Sequence, residues 1–187
     1  MTLQAHSGTA STLPPPAAGT GPESSGSGPI SAEILIVCLE PERAFPILAD
    51  FLRDCNIVLG LPGAQQNQIT GRLTSVMADL PADALPLPTD LQERSMALCA
   101  ELQSMRQLRM VLTLGVTAHI AVLGACGIPL SRLDFRPGHI TRLPDGLLLA
   151  DGCHFPDATT PADLLTRRHQ TLTDLIPEIR RALRPDA

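Results

Sequence analysis

The chain has 187 residues, 44% of them apolar, which suits one domain of ordinary size. Its formal charge is −5, and Trp, Tyr and Lys are absent; this is not the usual electrostatic footprint of a nucleic-acid binder. No apolar stretch reaches the ~18 residues needed to span a bilayer, so no membrane partner is expected.

The charge is uneven. Residues 1–105 hold four Arg against eleven acids, and residues 106–187 hold ten Arg against eight. Five cysteines stand alone at positions 38, 55, 99, 126 and 153, an odd number with no C-x-x-C pair. That pattern argues against a disulfide framework or a zinc ribbon, and for reduced thiols in a cytoplasmic protein. Most of them are expected as small core residues.

Residues 1–29 are dominated by Ser, Gly, Thr, Ala and Pro, including Pro14-Pro15-Pro16. Such a tract buries too little apolar surface to offset its chain entropy. A disordered tail over 1–30 and a folded domain over 31–187 are therefore predicted. The tail lacks the basic start and apolar run of a secretory signal.

The first element is Glu33-Ile34-Leu35-Ile36-Val37-Cys38, a β-branched run that fits a strand buried on both faces. Residues 42–55 follow with Phe45, Leu48, Phe51 and Leu52 at helical spacing, and Pro46 suits only the first turn of that helix. Residues 56–71 contain Gly60, Pro62 and Gly63 and read as loop. Residues 73–77 are a possible second strand, and 81–88 a Pro-rich connector. A helix begins near Thr89, a plausible cap with Gln92 three residues on.

Arg109-Met110-Val111-Leu112-Thr113-Leu114 reads as a buried strand, and Gly115 turns the chain into a helix over 116–125. Residues 135–150 hold two short extended runs around Pro144-Asp145-Gly146. The second run, 147–150, ends in Asp151-Gly152 and leads to His154. A last helix spans 161/162–183, with Leu164, Leu165, Leu172, Leu175, Ile176, Ile179 and Leu183 inward and Pro177 as a kink or break. Strands alternating with helices predict an α/β fold: three layers, α/β/α, around a central, mostly parallel sheet.

The order of these segments resembles the uracil-DNA glycosylase superfamily, closest to its iron–sulfur-containing bacterial and archaeal branches. Val111-Leu112-Thr113-Leu114-Gly115-Val116-Thr117-Ala118-His119 is similar to the family's strand, Leu-Gly turn and Ala helix start. Pro88-Thr89-Asp90-Leu91-Gln92-Glu93 looks like its Pro-Thr-x-x-Glu helix opening, and Phe135-Arg136-Pro137-Gly138 stands at its Phe-Gly-His-Gly-like segment. His154 to Thr166 aligns without a gap on its second motif and retains His154, Thr160, Leu165 and Thr166.

The resemblance implies excision of a damaged base that has been flipped out of DNA. It places the water-orienting carboxylate on Glu40 or Glu42. It makes His154 the donor to the departing base and Phe45 the ring that stacks on it. Arg167 and Arg168 become candidate contacts to DNA phosphate, with Arg180, Arg181 and Arg184 as a second basic group.

The motifs also depart from the family. Cys38-Leu39-Glu40-Pro41-Glu42 replaces small residues, Asp157 and Thr159 replace a Ser and an Asn, and Ser75 stands for an amide residue that reads the base. The cluster cysteines are missing, so neither an iron–sulfur cluster nor any other cofactor or metal is expected. A metal or redox site at Cys38, Cys153 and His154 lacks a clear fourth ligand. His119, inside an apolar helix, reads as a polar or surface position without a special role. The eroded motifs leave a second expectation beside the enzyme: an inactive relative that binds a protein partner.

Overall fold

The computed structural model describes residues 26–39, 41–60, 68–76, 88–154 and 161–184. Eleven short segments form regular structure among them. They are β1 (Ile34–Cys38), α1 (Pro41–Asp54), β2 (Ile57–Leu59), β3 (Ile69–Ser75), α2 (Pro88–Ser104), β4 (Met110–Leu114), α3 (Val116–Ala125), a 3-10 turn (Leu130–Arg132), β5 (His139–Arg142), β6 (Leu148–Gly152) and α4 (Ala162–Leu183). The six strands make one sheet in the order β2-β3-β1-β4-β6-β5. All neighbours are parallel except β5, which pairs antiparallel with β6. The chain is thus an α/β fold.

Strand periodicity divides the core in two. Ile34, Ile36 and Cys38 point to one face of β1, where they join Leu48, Phe51 and Leu52 of α1 and Leu172, Leu175, Ile179 and Leu183 of α4. Leu35 and Val37 point to the other face, against Leu98 of α2 and Ala118, Ala121 and Val122 of α3. Helices cover both faces, as a mostly parallel sheet requires.

Several boundaries differ from the sequence reading. The expected loop 56–71 contains β2, whose Ile57-Val58-Leu59 run is β-branched but sits just before Gly60 and Pro62. The second strand starts at Ile69 rather than at residue 73. Because α1 begins at Pro41, Pro46 falls in its second turn, and Thr89 lies inside α2 rather than capping it. α4 runs continuously through Pro177. β6 includes Asp151 and Gly152 instead of ending before them.

The stretch read as a tail reaches into the fold. Ser27 exchanges two backbone hydrogen bonds with Leu73, each 2.8 Å, and the Arg72 guanidinium donates to the Gly28 carbonyl. Arg72 also pairs with Glu101 of α2, both about 4% exposed at the side chain. Thr74 donates to the same carboxylate at 2.8 Å. The alternation Thr70, Arg72, Thr74 gives β3 a polar face toward α2, and this ion pair satisfies it.

Leu164 is a further correction. It was expected inward and is 40% exposed. Among the described side chains of α4, which do not include Leu165, the first buried one is Leu172; it reaches the end of β6, where a methyl on Gly152 would sit 3.3 Å from Leu172 Cδ2. At the other end the Leu183 carbonyl accepts from Arg109, just before β4. The turns of α4 before Leu172 carry Thr166, Arg168, His169 and Gln170 along a cleft shared with Asp50, Phe51 and Asp54 of α1.

Candidate functional site

The register of the parallel strands brings the candidate segments to one edge. Cys38 pairs with Leu114, and Leu114 with Gly152, so β1, β4 and β6 end level. In open α/β sheets the ligand crevice lies just outside such carboxyl ends. His154 is two residues beyond β6 and exposed. It packs on Gly115, where an added Cβ would stand 3.1 Å from the His154 Cβ. Gly115 has φ +104°, a conformation that side chains other than glycine's resist.

Glu40, two residues beyond β1, lies outside the described residues. Glu42 and Phe45 belong to the opening turns of α1, and their side chains also lie outside the described residues. Arg167 and Arg168 sit on the opening turns of α4, Arg167 exposed and Arg168 partly covered. Two members of the second basic group are engaged elsewhere. Arg184 makes two short hydrogen bonds to Glu33, at 2.7 and 2.6 Å, and Arg181 pairs with Glu178 at 2.9 Å. The Arg184 contact, the largest influence, holds the Glu33 carboxyl below its ordinary range.

Ser75 ends β3 level with Cys38 of β1. Its hydroxyl donates to the Leu39 carbonyl at 2.8 Å. Cys38 is turned into the core with its Sγ near the Thr74 carbonyl. Burial pushes its thiol up to about 12, so convergence with Cys153 and His154 on a metal or redox centre is not what the fold provides. Among the described residues no group of three His, Cys, Asp or Glu is placed to hold a metal ion. Cys55 is buried like Cys38, whereas Cys99, Cys126 and Cys153 are partly exposed.

A cluster missed in the sequence stands directly behind the crevice. His119 is 2% exposed and Asp151 4%. The Asp151 carboxylate accepts from Thr113 Oγ1 at 2.8 Å, from the Arg136 backbone N–H at 3.0 Å, and contacts His119 Nδ1 at 2.8 Å. His119 Nε2 faces the Leu133 carbonyl at 3.2 Å. Satisfying both ring contacts takes two protons, one on Nε2 and one shared between Nδ1 and the carboxylate. Phe135 meets the imidazole edge-on, with centroids 5.5 Å apart.

Asp151 also takes the Gly138 N–H on its own carbonyl at 2.7 Å. Residues 133–138 are therefore fastened to β6 and α3 at several points. The visible signal was a polar residue in each of two otherwise apolar runs, 147–152 and 116–125. Sequence spacing did not reveal that they meet. Asp151 and His119 are satisfied by protein groups and turned inward, so their role is to hold the crevice wall.

A separate cleft of about 430 Å³ opens between α1 and α4, lined by Asp50, Phe51, Asp54, Arg168, His169 and Ile176 among others. No helix among the described residues is long and apolar enough to cross a membrane. Compared with protein-family models and with curated proteins, the chain finds no match.

Proposed function

We propose that this chain is a divergent member of the uracil-DNA glycosylase superfamily that hydrolyses the N-glycosidic bond of a flipped, damaged base. The observation that carries this reading is the level ending of β1, β4 and β6 with His154 packed on Gly115. It supports a crevice shared by the segment after β1, which carries Glu40 and Glu42, and the segment after β6. In this reading the carboxylate of Glu40 or Glu42 orients a water for attack on the sugar carbon. His154 donates to the base oxygen on which charge grows as the bond breaks. Phe45 stacks on the extruded base, and Arg167 and Arg168 meet backbone phosphate.

The test is an incision assay on single- and double-stranded oligonucleotides carrying uracil, hypoxanthine or xanthine, at low salt. His154→Ala should lower excision by roughly two to three powers of ten while leaving DNA retention nearly unchanged, because the donor acts mainly in the transition state. Absence of excision by the wild-type chain on all three bases defeats the enzyme reading.

One observation favours the alternative, an inactive glycosylase-like protein acting as a binding partner. Ser75 carries a hydroxyl that donates to the Leu39 carbonyl where the family has an amide, and Leu39 packs on the core. The wall that reads the base in the family thus lacks an amide here and carries bulk. Retention of DNA or of a protein partner without excision is the result that this alternative expects.

A further inference from the structure

The cleft between α1 and α4 has walls of opposite charge. Asp50 and Asp54 line it from α1, one helical turn apart, and Arg168 and His169 line it from α4. Its floor is apolar. Phe51 and Leu172 are buried there and Ile176 is half-buried. Arg168, Leu172 and Ile176 follow at intervals of four, so the guanidinium stands in line with the side chains that shape the floor. The volume of about 430 Å³ falls within the roughly 300–1,000 Å³ of small-molecule sites, which combine a mostly apolar lining with a few placed polar groups.

The opposite charges do not meet. Neither aspartate forms an ion pair with Arg168 or His169. Asp50 pairs with Arg53 on its own helix, and both side chains are mostly exposed. A contact of that kind contributes little and gives way to a better-placed cation. Asp54 and the half-covered Arg168 make no hydrogen bond or ion pair with another described residue. Charges left open on both sides of an apolar floor suit a guest that carries both signs. A plain cation is drawn to α1 and repelled by α4, and a plain anion meets the reverse. A zwitterion with an apolar body satisfies both walls while the body covers Phe51, Leu172 and Ile176.

A short peptide has this form. Two residues span at most about 7 Å between their charged ends, at ~3.5 Å per residue, and bring two side chains to the floor. A free amino acid holds both charges on one carbon and brings one side chain.

We propose that the cleft between α1 and α4 binds an apolar peptide of two or three residues, with its ammonium on Asp50 and Asp54 and its carboxylate on Arg168 and His169. The planar fork of arginine meets a carboxylate through two parallel hydrogen bonds, which fixes the direction of the peptide. The site stands apart from base excision: an occupied cleft engages Arg168 and leaves the exposed Arg167 for phosphate.

The test titrates the isotope-labelled full chain with leucyl-leucine to about 10 mM and follows its amide resonances, a range in which a Kd below ~1 mM is measured directly. Saturable shifts should map to residues 50–54 and 166–176. N-acetyl-leucyl-leucine lacks the ammonium and leucyl-leucinamide lacks the carboxylate. Each should bind at least about tenfold more weakly, the effect of losing one charged, hydrogen-bonded contact. Asp54→Asn and Arg168→Gln should weaken leucyl-leucine by a similar factor. Asp54→Asn should leave binding of the acetylated peptide unchanged, and Arg168→Gln that of the amide, because each removes the partner of a charge that this ligand lacks. Arg181→Ala, already paired with Glu178, should leave every affinity unchanged.

Asp54 and Arg181 are exposed and Arg168 partly so, and unchanged thermal unfolding checks that the fold persists. Absence of shifts with leucyl-leucine, equal binding of the capped peptides, or shifts confined to the surroundings of His154 overturns the proposal. Free leucine binding as tightly as the dipeptide overturns it as well. Leucyl-leucine bound by a chain that excises no base keeps the cleft and removes the glycosylase. Excision without such binding does the reverse.

Discussion

Replacing Asp151 by alanine should cost about 3–5 kcal/mol, the usual result of breaking one side of a buried, hydrogen-bonded pair. The structure supplies the accounting. The carboxylate accepts from Thr113 Oγ1, His119 Nδ1 and the Arg136 N–H, all within 3.0 Å. Thr113 has a fallback, since its hydroxyl also lies 3.4 Å from the Ala150 carbonyl. The ring nitrogen and the backbone N–H have no other acceptor in this set, and each unmet buried donor costs about 1–3 kcal/mol.

Asp151→Asn is the informative companion. Its amide nitrogen can donate to a neutral His119 Nδ1, and its oxygen can still accept from Arg136. The loss should then be about 1 kcal/mol, within the range of a single net hydrogen bond. Urea unfolding measures both. With a slope of ~2 kcal/mol/M, alanine should lower the midpoint by roughly 1.5–2.5 M and asparagine by ~0.5 M. Amide exchange at Arg136 and Gly138 should speed up in the alanine variant before global unfolding does. Equal losses for the two substitutions would refute the hydrogen-bond account and leave charge as the dominant factor. A loss under ~1 kcal/mol for alanine would refute the buried clamp altogether.

Other outcomes follow from the same geometry. The Arg184 hydrogen bonds hold the Glu33 carboxyl below its ordinary value of 4.5, with a further contribution from Arg109. A depressed carboxylate stabilises the fold above its unfolded value and loses that contribution as pH falls through the folded one. The stability gap between wild type and Arg184→Met should therefore be full at pH 7 and close in acid below about 4.5, the unfolded reference, as followed by chemical unfolding at several pH values. Gly115→Ala should destabilise by more than ~1 kcal/mol in thermal unfolding and shift the His154 ring resonances, since φ is positive and the new methyl meets His154. Cys38 and Cys55, each pushed up to about 12 by burial, should resist thiol reagents at pH 8 in the native chain, while the partly exposed Cys153 reacts; a count of labelled sites by mass checks this.

Much of the fold was legible because its signals are local. The runs at β1 and β4 are β-branched and apolar, too short for helices, and each is buried at every position. Gly115 and the apolar helix after it were placed to the residue, because a turn requiring positive φ has a residue-level signature. β2 was lost because three residues carry little periodicity and Gly60 and Pro62 outweighed them.

Tertiary structure alone decided the rest. His119 and Asp151 are 32 residues apart, and only the pairing of β4 with β6 and the packing of α3 bring a polar residue from each apolar run into contact. Helical periodicity put Leu164 and Leu172 on one stripe, but where the sheet stops beneath that stripe depends on the register Cys38–Leu114–Gly152. The sequence determines which face of a helix is apolar; the length of the surface against which it packs determines how much of that face is covered. For α4 the described leucines are buried from Leu172 onward, while Leu164 and Arg167 are exposed and Arg168 is partly covered beside the cleft with α1.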